Sequence, residues 1–160
     1  HGRAIVLQVM GRNCGNIALY SGVAGGAEAI VVPEVDLDID AIIRKIQNGK
    51  KRGKKHHIIV TAEGALDAYK LAKIIEEKGG VETRLTVLGY VQRGGVPTVQ
   101  DRIIASEFGY MAVNLLLEDK DGLVLGYKDG KTIVVSIEKA LNEKKDLNKE
   151  LLKMVDILSI

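Results

Sequence analysis

Arginines placed beside glycines are the residues of this 160-residue sequence best suited to chemistry. RLTVLGYVQRGGVPTVQDR, positions 84 to 102, opens on Arg84, reaches Arg93-Gly94-Gly95 after an apolar run, and closes on Arg102. A guanidinium is costly to bury alone and well suited to gripping a phosphate or carboxylate through paired N–H donors. Two further loops have matching chemistry: Met10-Gly11-Arg12 follows the run AIVLQV, and Glu63-Gly64 follows HIIVT closely. Glycine lets backbone approach a ligand, and a helix N-terminus beyond such a loop adds amide donors for an anion. Glu63 can accept hydrogen bonds from sugar hydroxyls. The set suits a polar, phosphorylated small molecule. The residue types alone leave plainer readings open: a turn with a solvated arginine, Glu63 paired to a surface lysine, glycines that only end a strand. Lys50-Lys51-Arg52-Gly53-Lys54-Lys55 reads by itself as a solvated basic loop. Cys14 has no evident base partner and reads as a small packing residue, and neither His56 nor His57 reads as a metal ligand.

The elements that must hold these loops alternate. Strands are expected at 4–9, 29–32, 57–61 and 85–88, and helices at 14–25, 36–47 and 65–78, the second helix carrying acidic residues in its first turn. Short continuous apolar runs separated by helices predict an α/β fold: a layered, mostly parallel sheet with helices on both faces. In such a sheet ligands sit beyond the carboxyl ends of the strands, where the candidate loops fall. A long helix is expected over 97–118, a strand pair over 122–135 turning at Lys128-Asp129-Gly130, a helix capped by Ser136 and running to about Asn142, and a final amphipathic helix from Asp146.

The composition bounds the possibilities. Apolar residues make up 46% of the chain, with no tryptophan and one phenylalanine, so the core must be aliphatic. A net charge of +2 gives no electrostatic reason to expect nucleic acid. One cysteine precludes an internal disulfide and fits a reducing, cytoplasmic compartment. No run of about 18 apolar residues predicts a membrane span. The start, His1-Gly2-Arg3-Ala4, lacks an initiator methionine and the apolar segment of a signal peptide, and reads as a fragment or a processed product.

Four blocks, VMGRNCGNIAL, GVAGGAEAIVVPE, RGKKHHIIVTAEG and TRLTVLGYVQRGGVPTVQDRIIAS, in this order, resemble the carboxyl-terminal half of the bacterial-type 6-phosphofructokinase family over nearly the whole chain. The resemblance implies a phosphofructokinase-like, Rossmann-type fold and phosphorylation of fructose 6-phosphate to fructose 1,6-bisphosphate in glycolysis. It divides the chain into a sugar-phosphate-binding subdomain (1–92), a segment packing on a donor domain (93–142) and a C-terminal helix (143–160). It implies that Met10, Gly11 and Arg12 form the sugar-phosphate loop, that Glu63 holds sugar hydroxyls and that Arg93 meets the 6-phosphate. Arg3 and Arg84 would reach that phosphate from a neighbouring subunit. Arg12 would also act catalytically, offsetting charge on the transferred phosphoryl group. Arg52 and Lys54 match a basic effector loop for ADP or phosphoenolpyruvate. Gly26 and Glu28 match positions that hold the effector's magnesium. The partners implied are a homo-oligomer, a tetramer when intact, with no nucleic acid and no membrane. Tyr90 stands where many bacterial members carry a histidine donor to the substrate, Val96 replaces a serine, and Gln8 stands where glutamate is common.

The family's glycine-rich donor loop and aspartate base match nothing in this sequence. Mg2+ with ATP, or pyrophosphate, would therefore bind outside it. The chain alone is expected to lack kinase activity and to leave an apolar face of the 97–118 helix exposed. The alternatives are a non-catalytic sugar-phosphate or nucleotide-binding module derived from that half, and a purely structural or regulatory domain with vestigial arginines.

Overall fold

The computed structural model describes residues 2–143 and 146–159. The chain divides into two compact units: His1–Gly94 with Asp146–Ile160, and Gly95–Lys145. The C-terminal helix expected over 143–160 includes residues 144, 145 and 160, which lie outside the described residues.

The first unit holds β1 (Arg3–Val9), α1 (Asn16–Ala24), β2 (Ala29–Val31), α2 (Ile39–Lys51), β3 (His56–Ala62), α3 (Ala68–Gly79), β4 (Glu82–Val87) and a short 3-10 turn at Gly89–Arg93. The helix Lys149–Leu158 returns to this unit. The strands are all parallel, in the order β2-β3-β1-β4. The path from β1 to β2 runs toward one edge, whereas β2 to β3 and β3 to β4 run toward the other. Right-handed crossovers then place α1 on one face and α2 and α3 on the opposite face.

Burial agrees with that placement. Ala4, Val6 and Ile59 pack with Ile42 and Ile46 of α2 and with Leu71 and Ile75 of α3. Val9, Val60 and Ala62 pack with Ala18 and Leu19 of α1 and, from the C-terminal segment, with Leu147, Leu151 and Leu152. Side chains alternate across a strand, so β1 feeds both layers. Each fully buried Leu or Ile contributes about 1.5–3 kcal/mol, which is why an aliphatic core suffices.

Several element boundaries differ from expectation. The second helix starts later, at the Asp38 cap whose carboxylate accepts from the Ala41 amide, and runs on through Lys51. Lys50 and Lys51 are therefore helical, favoured in a last turn by the helix dipole, and the basic loop shrinks to residues 52–55. Gly49 is tolerated inside this helix because a Cβ there would lie 2.8 Å from the His57 ring. The third helix begins at the Asp67 cap. The fourth strand begins three residues early, at Glu82, because an exposed edge strand can carry polar residues that mask an apolar run.

The second unit holds α4 (Val99–Leu117), a β5–β6 hairpin (Leu123–Lys128 and Lys131–Ser136) and α5 (Ile137–Asn142); the helix Lys149–Leu158 is numbered α6. α4 starts after Pro97 because Thr98 and Asp101 form a reciprocal capping box. Asp129 and Gly130 turn the hairpin with φ of 52° and 78°, the left-handed backbone such turns require. No residue of α4 is buried; Val99, Ile103, Tyr110, Val113, Leu116 and Leu117 are all exposed.

Candidate functional site

The chain leaves β1 over one face and β3 over the other, and these two strands are adjacent. The crevice beyond their carboxyl ends is a topological switch point, the usual place for a ligand in an open parallel sheet. Met10-Gly11-Arg12 and Glu63-Gly64 are the loops that open there.

Hydrogen bonds stitch the two loops to each other. The Glu63 amide donates to the Val9 carbonyl at 2.9 Å, and the Gly64 amide to the Gly11 carbonyl at 3.2 Å. The Gly11 amide donates to Glu63 Oε1 at 3.3 Å. Gly11 sits at φ +139°, and a Cβ there would stand 2.5 Å from the Cys14 carbonyl oxygen. A Cβ on Gly64 would stand 1.7 Å from the Arg12 carbonyl oxygen. Both glycines are thus needed for close approach, and the Arg12 backbone is fixed by its neighbour across the crevice. The turn after β4 joins the same edge. Leu88 donates its amide to the Gln8 carbonyl at 3.1 Å, and Gln92 Oε1 accepts from the Met10 amide at 3.2 Å.

Arg12, Glu63, Tyr90 and Arg93 are exposed around these loops. The Arg93 guanidinium lies 5.0 Å from the Tyr90 ring centre, a cation–π stack that limits its swing while leaving its donors free. Among the described residues neither Arg12 nor Arg93 is engaged in an ion pair, so two guanidiniums and one carboxylate are available at this rim.

The remaining candidates lie at the other end of the sheet. Arg3 is the first residue of β1, seven residues from the crevice, which at about 3.3 Å per residue is about 20 Å away. Arg84 sits beside Ile5 in the register with β1, and Glu82 beside Arg3. Arg3 Nε donates to Glu82 Oε2 at 2.8 Å and Arg84 Nη2 to Glu82 Oε1 at 2.6 Å. The Arg3 hydrogen bond first, helped by the Arg3 charge and by the Arg84 hydrogen bond and charge, holds the Glu82 carboxyl below the usual glutamate range, against desolvation, which is the second-largest influence and opposes them.

Glu28 lies at the amino-terminal end of β2 and is only 3% exposed. Its Oε1 meets Lys54 Nζ at 2.8 Å and its Oε2 meets His57 Nδ1 at 2.6 Å. The two basic-loop residues separate here: Lys54 turns inward to Glu28, whereas Arg52 is exposed. Gly26, at φ +67°, is exposed two residues from Glu28. Both Glu28 oxygens are engaged, so a metal ion at Gly26 and Glu28 fits only where Lys54 moves away.

Residues 1–116 match the family profile described as Phosphofructokinase. The chain belongs to the phosphofructokinase family. It is 52% identical over 160 residues to a protein of Finegoldia magna named ATP-dependent 6-phosphofructokinase, covering all of this chain and 50% of that one. A protein of the same name from Alkaliphilus metalliredigens is 54% identical over the same span and share. The chain thus spans about half the length of the curated relatives it matches. Among solved structures, phosphofructokinase from Saccharomyces cerevisiae superposes with a TM-score of 0.82 at 32% identity, over 99% of this chain and 22% of that one. A pyrophosphate-dependent phosphofructokinase from Marinobacter aquaeolei, at 21% identity and a TM-score of 0.78 over 96% of this chain and 48% of that one, shares the fold. The parallel sheet with helices on both faces is therefore the phosphofructokinase fold.

Within this phosphofructokinase chain, three residues that sequence reasoning did not assign to a site shape the candidate regions. Gln92 ties the post-β4 turn to Met10, and its only signal was its position beside Arg93. His57 supports Glu28 from a fully buried position, which a histidine next to an apolar run does not disclose. Glu82 joins Arg3 to Arg84 across two strands that are distant in sequence.

Proposed function

We propose that this chain is the sugar-phosphate half of a 6-phosphofructokinase, transferring a phosphoryl group to the 1-hydroxyl of fructose 6-phosphate in glycolysis. The observation that carries the reading is the stitched crevice between β1 and β3, with Arg12, Glu63 and Arg93 exposed around it in a chain of this family. Arg93 grips the 6-phosphate, and Tyr90 beneath it restricts the guanidinium and offers a phenol donor to the sugar. Glu63 accepts from sugar hydroxyls while its other oxygen holds the Gly11 amide. Met10 and Gly11 present backbone to the ligand. Arg12 adds a cation near the transferred group, where charge spreads over the phosphoryl oxygens.

Arg3 stands about 20 Å from this crevice and Arg84, level with Ile5, about 15 Å, so they serve the equivalent site of a second copy. That supports a homo-oligomer, a tetramer in the intact protein. ATP is the donor in this reading, and its Mg2+, which neutralises phosphate charge when bound, belongs with the donor loop outside this sequence. Within the same reading, residues 1–92 form the sugar-phosphate subdomain, 93–142 pack on the donor domain through α4, and 143–160 are the C-terminal segment that carries α6 (Lys149–Leu158). Arg52 and Lys54 bind an anionic effector, ADP or phosphoenolpyruvate, with Gly26 and Glu28 toward the effector's magnesium once Lys54 has turned to the anion. The setting is cytoplasmic; no helix among the described residues is long and apolar enough to cross a membrane.

Calorimetric titration with fructose 6-phosphate tests the reading. The wild-type chain binds, and Arg93→Ala loses about 1.5–3 kcal/mol of affinity, the range for a charge-assisted hydrogen bond. A coupled assay gives no turnover for the chain alone and turnover after mixing with a donor half from a relative. Turnover by the isolated chain, or Arg93→Ala binding like the wild type, would refute the proposal.

A further inference from the structure

Two arginines on one face of neighbouring strands repel each other and carry long, mobile side chains. In this structure they do not diverge, because one carboxylate lies between them. Arg3 and Glu82 are cross-strand neighbours, and Arg84 follows Glu82 by two residues on the same face. Arg3 donates from Nε and Arg84 from Nη2, each to a different oxygen of Glu82. A guanidinium has five N–H donors, so each arginine keeps most of its donors after this contact. Among the described residues neither has another ion-pair partner. All three side chains are about half exposed, at 45% for Arg3, 44% for Glu82 and 64% for Arg84. The contact is thus open to a ligand and is not part of the core.

We propose that Glu82 is a positioning residue that holds Arg3 and Arg84 together as one preorganised cradle for a phosphate monoester. This inference rests on the reading of the two arginines as phosphate grips for the site of a second copy. Two opposite effects act on an incoming anion. The carboxylate's negative charge repels it only weakly, because water and salt screen charges that are exposed and several ångströms apart. Fixing two arginine side chains in advance removes an ordering penalty that a loose pair meets twice on binding, once for each long side chain. The second effect is the larger, so Glu82 strengthens anion binding although it carries the same sign of charge as the ligand.

The sign makes the test decisive. Fructose 6-phosphate is titrated at low ionic strength into the wild-type chain, Glu82→Ala, Glu82→Gln and the double variant Arg3→Ala/Arg84→Ala, with melting temperatures measured alongside. The expected result is affinity about three- to tenfold weaker in Glu82→Ala and Glu82→Gln, with at most a small fall in melting temperature, and a larger loss in the double variant. Nitrogen-15 spectra of the arginine side chains supply a ligand-free readout: restricted guanidinium rotation of Arg3 and Arg84 in the wild type, and free rotation in Glu82→Ala. Binding in Glu82→Ala equal to or tighter than wild type, or unrestricted guanidiniums in the wild type, overturns the role of Glu82. Wild-type binding in the double variant, or no binding by the wild-type chain, overturns the reading beneath it.

Discussion

Gly64→Ala is the substitution through which this structure makes its sharpest prediction. The added Cβ would lie 1.7 Å from the Arg12 carbonyl oxygen, 2.4 Å from the carbonyl carbon and 2.8 Å from Cα. All three are backbone atoms, so no side-chain rotation relieves the clash. Ordinary contact begins at 3.4 Å, so the Arg12 loop and the Gly64 turn must part by about 1.7 Å. That separation breaks the Gly64 amide to Gly11 carbonyl bond and strains the Gly11 amide to Glu63 bond. At about 1 kcal/mol for each hydrogen bond, with strain in the remaining loop, the cost is about 2–3 kcal/mol. For a chain of this size that lowers the melting temperature by roughly 4–12 °C. The functional loss should exceed the structural one, because a displacement of about 1 Å in a positioned group can cost about a hundredfold in rate. Fructose 6-phosphate affinity by calorimetry should fall tenfold or more, since Arg12 and Glu63 no longer face one ligand together. Gly95→Ala is the control: nothing lies within 4 Å of its Cβ and its φ is not left-handed, so it should leave both readouts unchanged. Gly64→Ala with unaltered melting and affinity would refute the argument that backbone packing fixes the crevice.

Other outcomes are as definite. Glu28→Ala strips Lys54 and the buried His57 of their shared partner, and chemical denaturation should show a loss of about 3 kcal/mol, as expected when one member of a buried ion pair is removed. Thr98→Ala removes the capping box of α4 and should cost about 1 kcal/mol, read as a drop in helicity and melting temperature. Glu82 should titrate below the ordinary glutamate value of 4.5 in carbon-13 spectra. Its folded-state value is depressed, so its contribution to stability is present above the unfolded value and is lost as the pH falls through the folded one. In Arg3→Ala that midpoint should move back up.

The fold class was legible because the alternation of aliphatic runs with helical spacing is a local property. AIVLQV, AIVV and HIIVT can be buried on both faces only by helices packed above and below a parallel sheet. The crevice loops were legible for the same reason, because glycine, arginine and glutamate directly after apolar runs must lie at strand ends. Edge strand β4 was legible only in its second half: the pairing that makes Glu82, Thr83 and Arg84 a strand comes from β1, some eighty residues away. The start of α2 was misplaced because several acidic residues precede it, and only the hydrogen bond to the Ala41 amide selects Asp38 as the cap.

What the tertiary structure decided was which charges meet. Strand order places β1 between β3 and β4, and that neighbourhood brings Gly11 to Glu63, Met10 to Gln92 and Arg3 to Glu82. Strand direction separates the arginines into two sets at opposite ends of the sheet, a division that residue types and spacing do not carry. The inward turn of Lys54 to Glu28 over His57 depends on the room left by Gly49 in the preceding helix. Composition and periodicity set the layers, because burial of apolar surface is additive and local. Hydrogen bonds and ion pairs act over about 3 Å, so they wait on the placement of strands that the chain brings together only when folded.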